Sequence, residues 1–116
     1  YDFVEGFRMR DIPVGAVVLD SPWETNYNTF QPNPSRYSNF GRLVSDLHAR
    51  GVRVVLWITP IINASSFDLE PGGDRYASGS PHFQPAKDCG FFLNEGETFI
   101  WWKGQGAAID FFNPAA

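Results

Sequence analysis

Apolar positions along the chain gather into a few periodic blocks separated by long polar stretches. Phe3, Val4 and Phe7 recur at helical spacing, and Pro13 holds Ile12 out of helical geometry, so a helix is predicted over residues 1–10, ending near Arg10. Val14–Leu19 is an unbroken apolar run rich in β-branched residues. This is the pattern of a strand covered on both faces, and therefore of a parallel sheet; it stops at Asp20. Phe40, Leu43, Val44 and Leu47 then fall on one helical stripe, with Ser38 or Asn39 available as N-cap and Gly51 placed as the stop, which predicts a helix over 39–50. Val52–Ile58 reads as a second buried strand, ended by Thr59-Pro60. Strand, helix and strand in this order make a βαβ unit with a right-handed crossover.

The connections are unequal. Gly51 joins helix to strand with almost no spacer, whereas about 18 residues separate Asp20 from Ser38 and roughly 40 separate Thr59 from the next strand-like stretch, against the usual ~2–6. Long excursions after strand C-terminal ends lie on the side where barrels and open α/β sheets place their ligands. Ser65–Lys87 is rich in Gly, Pro, Ser and Asp and is expected to be irregular. Phe91–Leu93 and Thr98–Trp102 flank Asn94-Glu95-Gly96 and predict a hairpin, and Ala107–Phe111 reads as a third barrel-type strand ending near Asp110. The expected fold class is α/β, a partial (β/α)8 barrel. A complete barrel needs ~250 residues, so the remaining strands and helices are expected from outside residues 1–116, which would form one segment of a single domain.

Composition narrows the function. Nine basic against thirteen acidic residues give a net charge of −4, which argues against nucleic acid and anionic membranes as partners. Charged residues are only 19% and hydrophobic ones 43%, enough for a core. Eleven Phe, four Trp and four Tyr exceed what a small core easily absorbs, so some are expected to face a ligand or another part of a larger protein. The single cysteine, Cys89, excludes an internal disulfide and a Cys-based metal cluster. The chain opens at Tyr1 without initiator Met or signal-peptide pattern, and its longest apolar run, Val54–Ile58, is far shorter than a membrane span; it reads as an internal piece of a longer protein.

Three carboxylates stand out. Asp20 and Asp110 each close an apolar strand, where they could act on a sugar, bind a metal or cap a helix, while Glu24 reads as a solvated loop charge. Trp23, Tyr27, Phe30, Tyr37, Trp101 and Trp102 sit in or beside the long loops; aromatic faces next to Asp and Asn suit pyranose recognition, against the plainer reading of loop packing. His48 and His82 have no partner at metal-ligand spacing, and the sequence holds no phosphate loop, nucleophile elbow or zinc motif. Asn63-Ala64-Ser65 matches a glycosylation sequon, a triplet common by chance.

In order along the chain, Ile12-Pro13 leading into Val17-Val18-Leu19-Asp20, Leu47-His48-Ala49-Arg50-Gly51-Val52 followed by Trp57-Ile58-Thr59-Pro60, Trp102-Lys103-Gly104, and Asp110-Phe111-Phe112-Asn113-Pro114 resemble glycoside hydrolase family 31. That family comprises retaining α-glucosidases and α-xylosidases on a (β/α)8 barrel. The resemblance implies that Asp20 hydrogen-bonds the sugar in the −1 subsite, that Ile62, and less well Ile61, lines it, that Trp102 faces the sugar, and that Asp110 supports the site from behind. It implies no metal or organic cofactor, and an oligosaccharide or α-glycoside as substrate. It also implies no catalytic residue here, because the family's nucleophile and acid/base lie beyond Ala116. Asp20-Ser21-Pro22-Trp23 stands where glucose-acting members read Asp-Ile-Asp-Tyr, Thr59-Pro60 replaces Asp-Pro, and Trp102-Lys103-Gly104 replaces Trp-Pro-Gly; these departures point away from plain glucose specificity. The alternatives are a carbohydrate-binding relative that has lost the chemistry, and a different (β/α)8 hydrolase.

Overall fold

Local chemistry sets the ends of the helices and strands. In the computed structural model, which describes residues 1–21, 23–67 and 76–116, helix α1 spans Asp2–Arg8 and strand β1 Ala16–Leu19. Helix α2, Phe40–Ala49, starts where the Asn39 side chain accepts the Arg42 N–H at 2.9 Å, one of the amides a helix start leaves without an internal partner. It ends where the Gly51 and Val52 N–H groups fold back onto the His48 and Leu47 carbonyls, with Gly51 in the left-handed conformation that glycine tolerates. Strand β2, Arg53–Leu56, follows at once and pairs with β1 in parallel, Val17 opposite Val54 and Val18 opposite Val55. The predicted βαβ elements are therefore present, α2 within one residue of its predicted ends and the two strands shorter than their apolar runs.

The chain forms two compact units. The first comprises residues 1–23 and 32–57. Its core is Val4, Leu47 and Val52, with Val14, Val17, Leu43 and Val54 against them. Burial alternates along both strands, so one face of the pair is covered and the other is open, with Val18 61% exposed and Val55 also exposed. Within this chain the strands are covered on one side only.

The second unit comprises residues 24–31 and 58–116, and it departs from expectation. Strand β3 (Ile61–Ser66) lies in the long connection expected after Thr59 and its last two residues enter the Ser65–Lys87 stretch expected to be irregular; helix α3, Phe83–Asp88, begins within that stretch, whose residues 68–75 lie outside the described ones. The expected 91–102 hairpin is replaced by another. Leu93–Gly96 is a tight, non-helical turn with Asn94, Glu95 and Gly96 all at positive φ, and the hairpin is instead β4 (Phe99–Trp101) with β5 (Gly104–Ala108). The sheet order is β3-β5-β4, wholly antiparallel. Ala107 and Ala108 thus belong to an antiparallel ladder and not to a third parallel barrel strand, and Phe111 lies beyond any strand. The register slips between Asn63 and Ser65, a β-bulge. Alongside it, the Ser66 N–H reaches the Ser78 carbonyl at 2.7 Å and the Ser80 N–H the Asn63 carbonyl at 2.8 Å, so residues 78–80 lie along the outer edge of β3. The core is Ile62, Phe92 and Ala107, backed by Phe83, Ala86 and Ile109. Among the described residues no helix is long and apolar enough to cross a membrane.

Candidate functional site

In the first unit, Asp20 directly follows β1, at the C-terminal end of a parallel pair, and is exposed. Its Oδ1 accepts the Ser21 N–H at 2.8 Å and its carbonyl accepts the Trp23 N–H at 3.0 Å, so a tight turn fixes the carboxylate at the strand end. Trp23 is buried. Its Nε1 donates to the Trp57 carbonyl at 2.7 Å, which ties the segment after β1 to the end of the β2 segment, and its ring stacks on Phe40 at 6.2 Å. Tyr37 meets Phe40 edge-on at 5.6 Å. Trp23 therefore belongs to the packing beneath Asp20 and is no sugar-facing surface.

In the second unit, Trp102 sits in the β4–β5 turn, 46% exposed, with the Lys103 Nζ 4.4 Å from its ring centre and Trp101 edge-on at 5.8 Å. Lys103 is itself buried, its Nζ also facing the Tyr27 ring at 5.8 Å. Gly104 permits the turn: at φ +147, a Cβ there would stand 2.3 Å from the Ser65 carbonyl oxygen. Ile62 is 4% exposed, packed with Phe92 and Ala107, while its neighbour Ile61 is half-buried. Asp110 is half-buried and closes its own turn, Oδ1 accepting the Phe112 N–H at 3.0 Å and the carbonyl accepting the Asn113 N–H at 3.1 Å. The structure thus assigns Asp20 to one unit and Ile62, Trp102 and Asp110 to the other.

Glu24 corrects the expectation of a solvated loop charge. It is 3% exposed, and its carboxylate receives the backbone N–H groups of Phe30, at 2.7 Å, Asn28 and Thr29. Burial pushes its pKa up, and the three amides, which favour the ionised form, pull against that rise. The Tyr76 hydroxyl donates to the Glu24 carbonyl. This clamp closes the 24–31 loop and holds Asn28 and Phe30 at φ +61 and +54. Such a conformation costs about 1–2 kcal/mol for a residue other than glycine, and is less natural for Phe than for Asn.

Sequence patterning barely marks the buried amide network around Asn63. Asn63 is wholly buried; its N–H donates to Asn28 Oδ1 at 2.9 Å, its Nδ2 to the Lys103 carbonyl and Ser66 Oγ at 3.0 and 3.2 Å, and its Oδ1 accepts Trp101 Nε1 at 2.8 Å. Ser80 Oγ donates to the Asn28 carbonyl at 3.0 Å. The sequon asparagine is a core hydrogen-bonding hub in this fold. A polar residue breaking the Ile61-Ile62 run was the sole hint. Among the described residues no cluster of His, Cys, Asp and Glu could hold a metal ion.

The glycosyl hydrolases family 31 TIM-barrel domain model matches residues 1–116, the whole chain. The chain belongs to glycosyl hydrolase family 31. Its family 31 relatives include the α-xylosidase XylQ of Lactiplantibacillus pentosus, 28% identical over 98% of this chain and 14% of that protein. They also include α-glucosidase 2 of Bacillus thermoamyloliquefaciens, 28% identical over 97% and 13%. The family 31 dextranase of Flavobacterium johnsoniae, solved with glucose, superposes with a TM-score of 0.69 at 18% identity, covering 98% of this chain and 13% of that one. The chain therefore spans about one-seventh of the length of these relatives.

Proposed function

We propose that residues 1–116 form part of the catalytic barrel of a retaining α-glycosidase that hydrolyses O-glycosidic bonds of α-linked sugars, and that they supply sugar contacts of the −1 subsite. The observation that carries this reading is Asp20, an exposed carboxylate fixed at the C-terminal end of a parallel strand in a chain matched throughout by the family's barrel domain. Asp20 accepts hydrogen bonds from sugar hydroxyls, and Trp102 offers an exposed aromatic face to the ring. Ile62, packed with Phe92 and Ala107, backs the apolar side of the subsite, and Asp110 holds the turn that follows β5. The rest of the barrel covers the open face of β1 and β2 and brings the two reacting carboxylates, one forming the glycosyl ester and the other protonating the leaving oxygen. The names of the relatives support α-linked xylose or glucose as the sugar.

A carboxylate that takes two hydroxyls makes charge-assisted bonds that strengthen as the ring flattens toward its oxocarbenium-like transition state. Asp20→Asn in the full-length parent is expected to keep its melting temperature and to lose about 2–4 kcal/mol of transition-state stabilisation, roughly 30- to 1,000-fold in kcat/KM on α-glycosides. Near-normal activity would overturn the assignment. A wild-type parent that binds α-glycosides without turnover would instead be a carbohydrate-binding relative.

A further inference from the structure

The 24–31 loop presents an aromatic ring in a way that packing does not explain. Phe30 is 46% exposed, so burial does not hold it in place, and its φ of +54 is a backbone region that Phe avoids on its own. The conformation is imposed from below. The buried Glu24 carboxylate takes the Phe30 N–H at 2.7 Å along with those of Asn28 and Thr29, and the Thr25 N–H closes the loop onto the Gln31 carbonyl at 2.9 Å. Asn28 then anchors the loop to the Asn63 N–H and the Ser80 hydroxyl. The ring consequently stands on a base fixed at several points. Beside it lies the exposed imidazole of His82, centroid to centroid 5.8 Å and inclined by 37°.

An apolar face held rigid at the surface of this chain, next to a ring whose nitrogens donate and accept hydrogen bonds, matches a pyranose: its C–H face stacks while its rim hydroxyls need polar partners. We propose that Phe30 and His82 form a sugar-stacking platform that binds one pyranose unit of an oligosaccharide other than the unit held by Asp20. The platform rests on the reading above that the parent acts on α-linked sugars. Neither residue touches the reacting atoms. Their contribution is to the affinity for longer substrates, and the Glu24 clamp serves as the positioning element that keeps the ring presented.

The test uses the full-length parent with Phe30→Asn, which removes the ring yet suits a left-handed backbone, and Phe30→Tyr, which keeps a ring. Substrates are α-glucosyl and α-xylosyl fluoride, whose leaving group is too small to reach a second ring, and maltotriose and isomaltotriose. Phe30→Asn is expected to hold or raise the melting temperature, to leave kinetics on the fluorides unchanged, and to raise KM for the trisaccharides roughly tenfold at unchanged kcat. Phe30→Tyr is expected to behave as wild type. Unaltered trisaccharide kinetics in Phe30→Asn, or equal losses on fluorides and trisaccharides, would overturn the platform while leaving the glycosidase reading in place. A wild-type parent that cleaves neither substrate would overturn the glycosidase reading, and the same comparison made on trisaccharide Kd then decides the platform. Absence of trisaccharide binding by that wild type overturns both.

Discussion

The two units of this chain solve the problem of a small core in opposite ways. The first is built from apolar periodicity: a parallel pair, one helix capped by Asn39, and a core of Val and Leu. It leaves Val18 and Val55 open on its uncovered sheet face. The second has an equally small apolar core but adds Asn63, Asn28, Ser66, Ser80, Glu24 and Lys103, all buried polar groups. No buried side-chain nitrogen or oxygen among the described residues lacks a partner. The difference shows which parts await a covering neighbour and which parts satisfy themselves. Apolar surface left open can be covered by almost any matching surface, whereas a buried amide network works only when every member is in place.

That contrast can be broken at the network first. Asn63→Ala strands the Trp101 indole N–H and the Lys103 carbonyl and takes a partner from Ser66 Oγ, while the backbone bond to Asn28 survives; it is expected to cost about 3 kcal/mol, read as a lower denaturant midpoint. A loss below about 1 kcal/mol would show that the network yields to water and is no more demanding than the first unit's core.

Glu24→Gln comes next, within about 1 kcal/mol at neutral pH, since the neutral amide receives the three backbone N–H groups more weakly than a carboxylate but removes the cost of burying a charge. Its pH dependence is the sharper signature. Because burial raises the Glu24 pKa in the folded state, the folded protein holds that proton more tightly than the unfolded chain. The resulting stabilisation is complete below the unfolded pKa and disappears as pH rises through the folded one. Wild type should therefore gain on the non-titrating Gln variant as pH falls from neutral toward 4, measured by paired melts. A gap that narrows on acidification would mean that the amides outweigh burial.

The smallest effect probes the open face. Val55→Thr in the 1–116 chain should change stability by less than about 0.5 kcal/mol, since the side chain is exposed. In the full-length parent the same substitution should cost about 1–2 kcal/mol, because the hydroxyl becomes buried. Equal values in both would mean that this face is never covered.

The first unit was readable because its signals are local and periodic. An N-cap, an i, i+3, i+4 stripe and β-branched runs fixed α2, β1 and β2 to within a few residues, and the strand end drew attention to Asp20. The second was harder to read for physical reasons. Strand β5, Gly104-Gln105-Gly106-Ala107-Ala108, holds no β-branched residue and forms through close approach of backbones, so propensity gives no sign of it. Asn94-Glu95-Gly96 has hairpin chemistry, but its left-handed residues make a tight turn without pairing the segments on either side, and the real hairpin turns on Trp102-Lys103. Glu24 looked solvated because no sequence pattern shows that three amides of its own loop would fold over it.

Residues 78–80, lying along β3, also bear on self-association. An open strand edge is a template for a second chain, and here one edge of the three-stranded sheet is already occupied by the chain's own backbone. The opposite edge is β4, three residues long, bearing the exposed side chains of Phe99 and Ile100. When this chain is produced at high concentration, β4 is the edge along which copies would stack, and a lysine at Ile100 is the gatekeeper that would keep them apart.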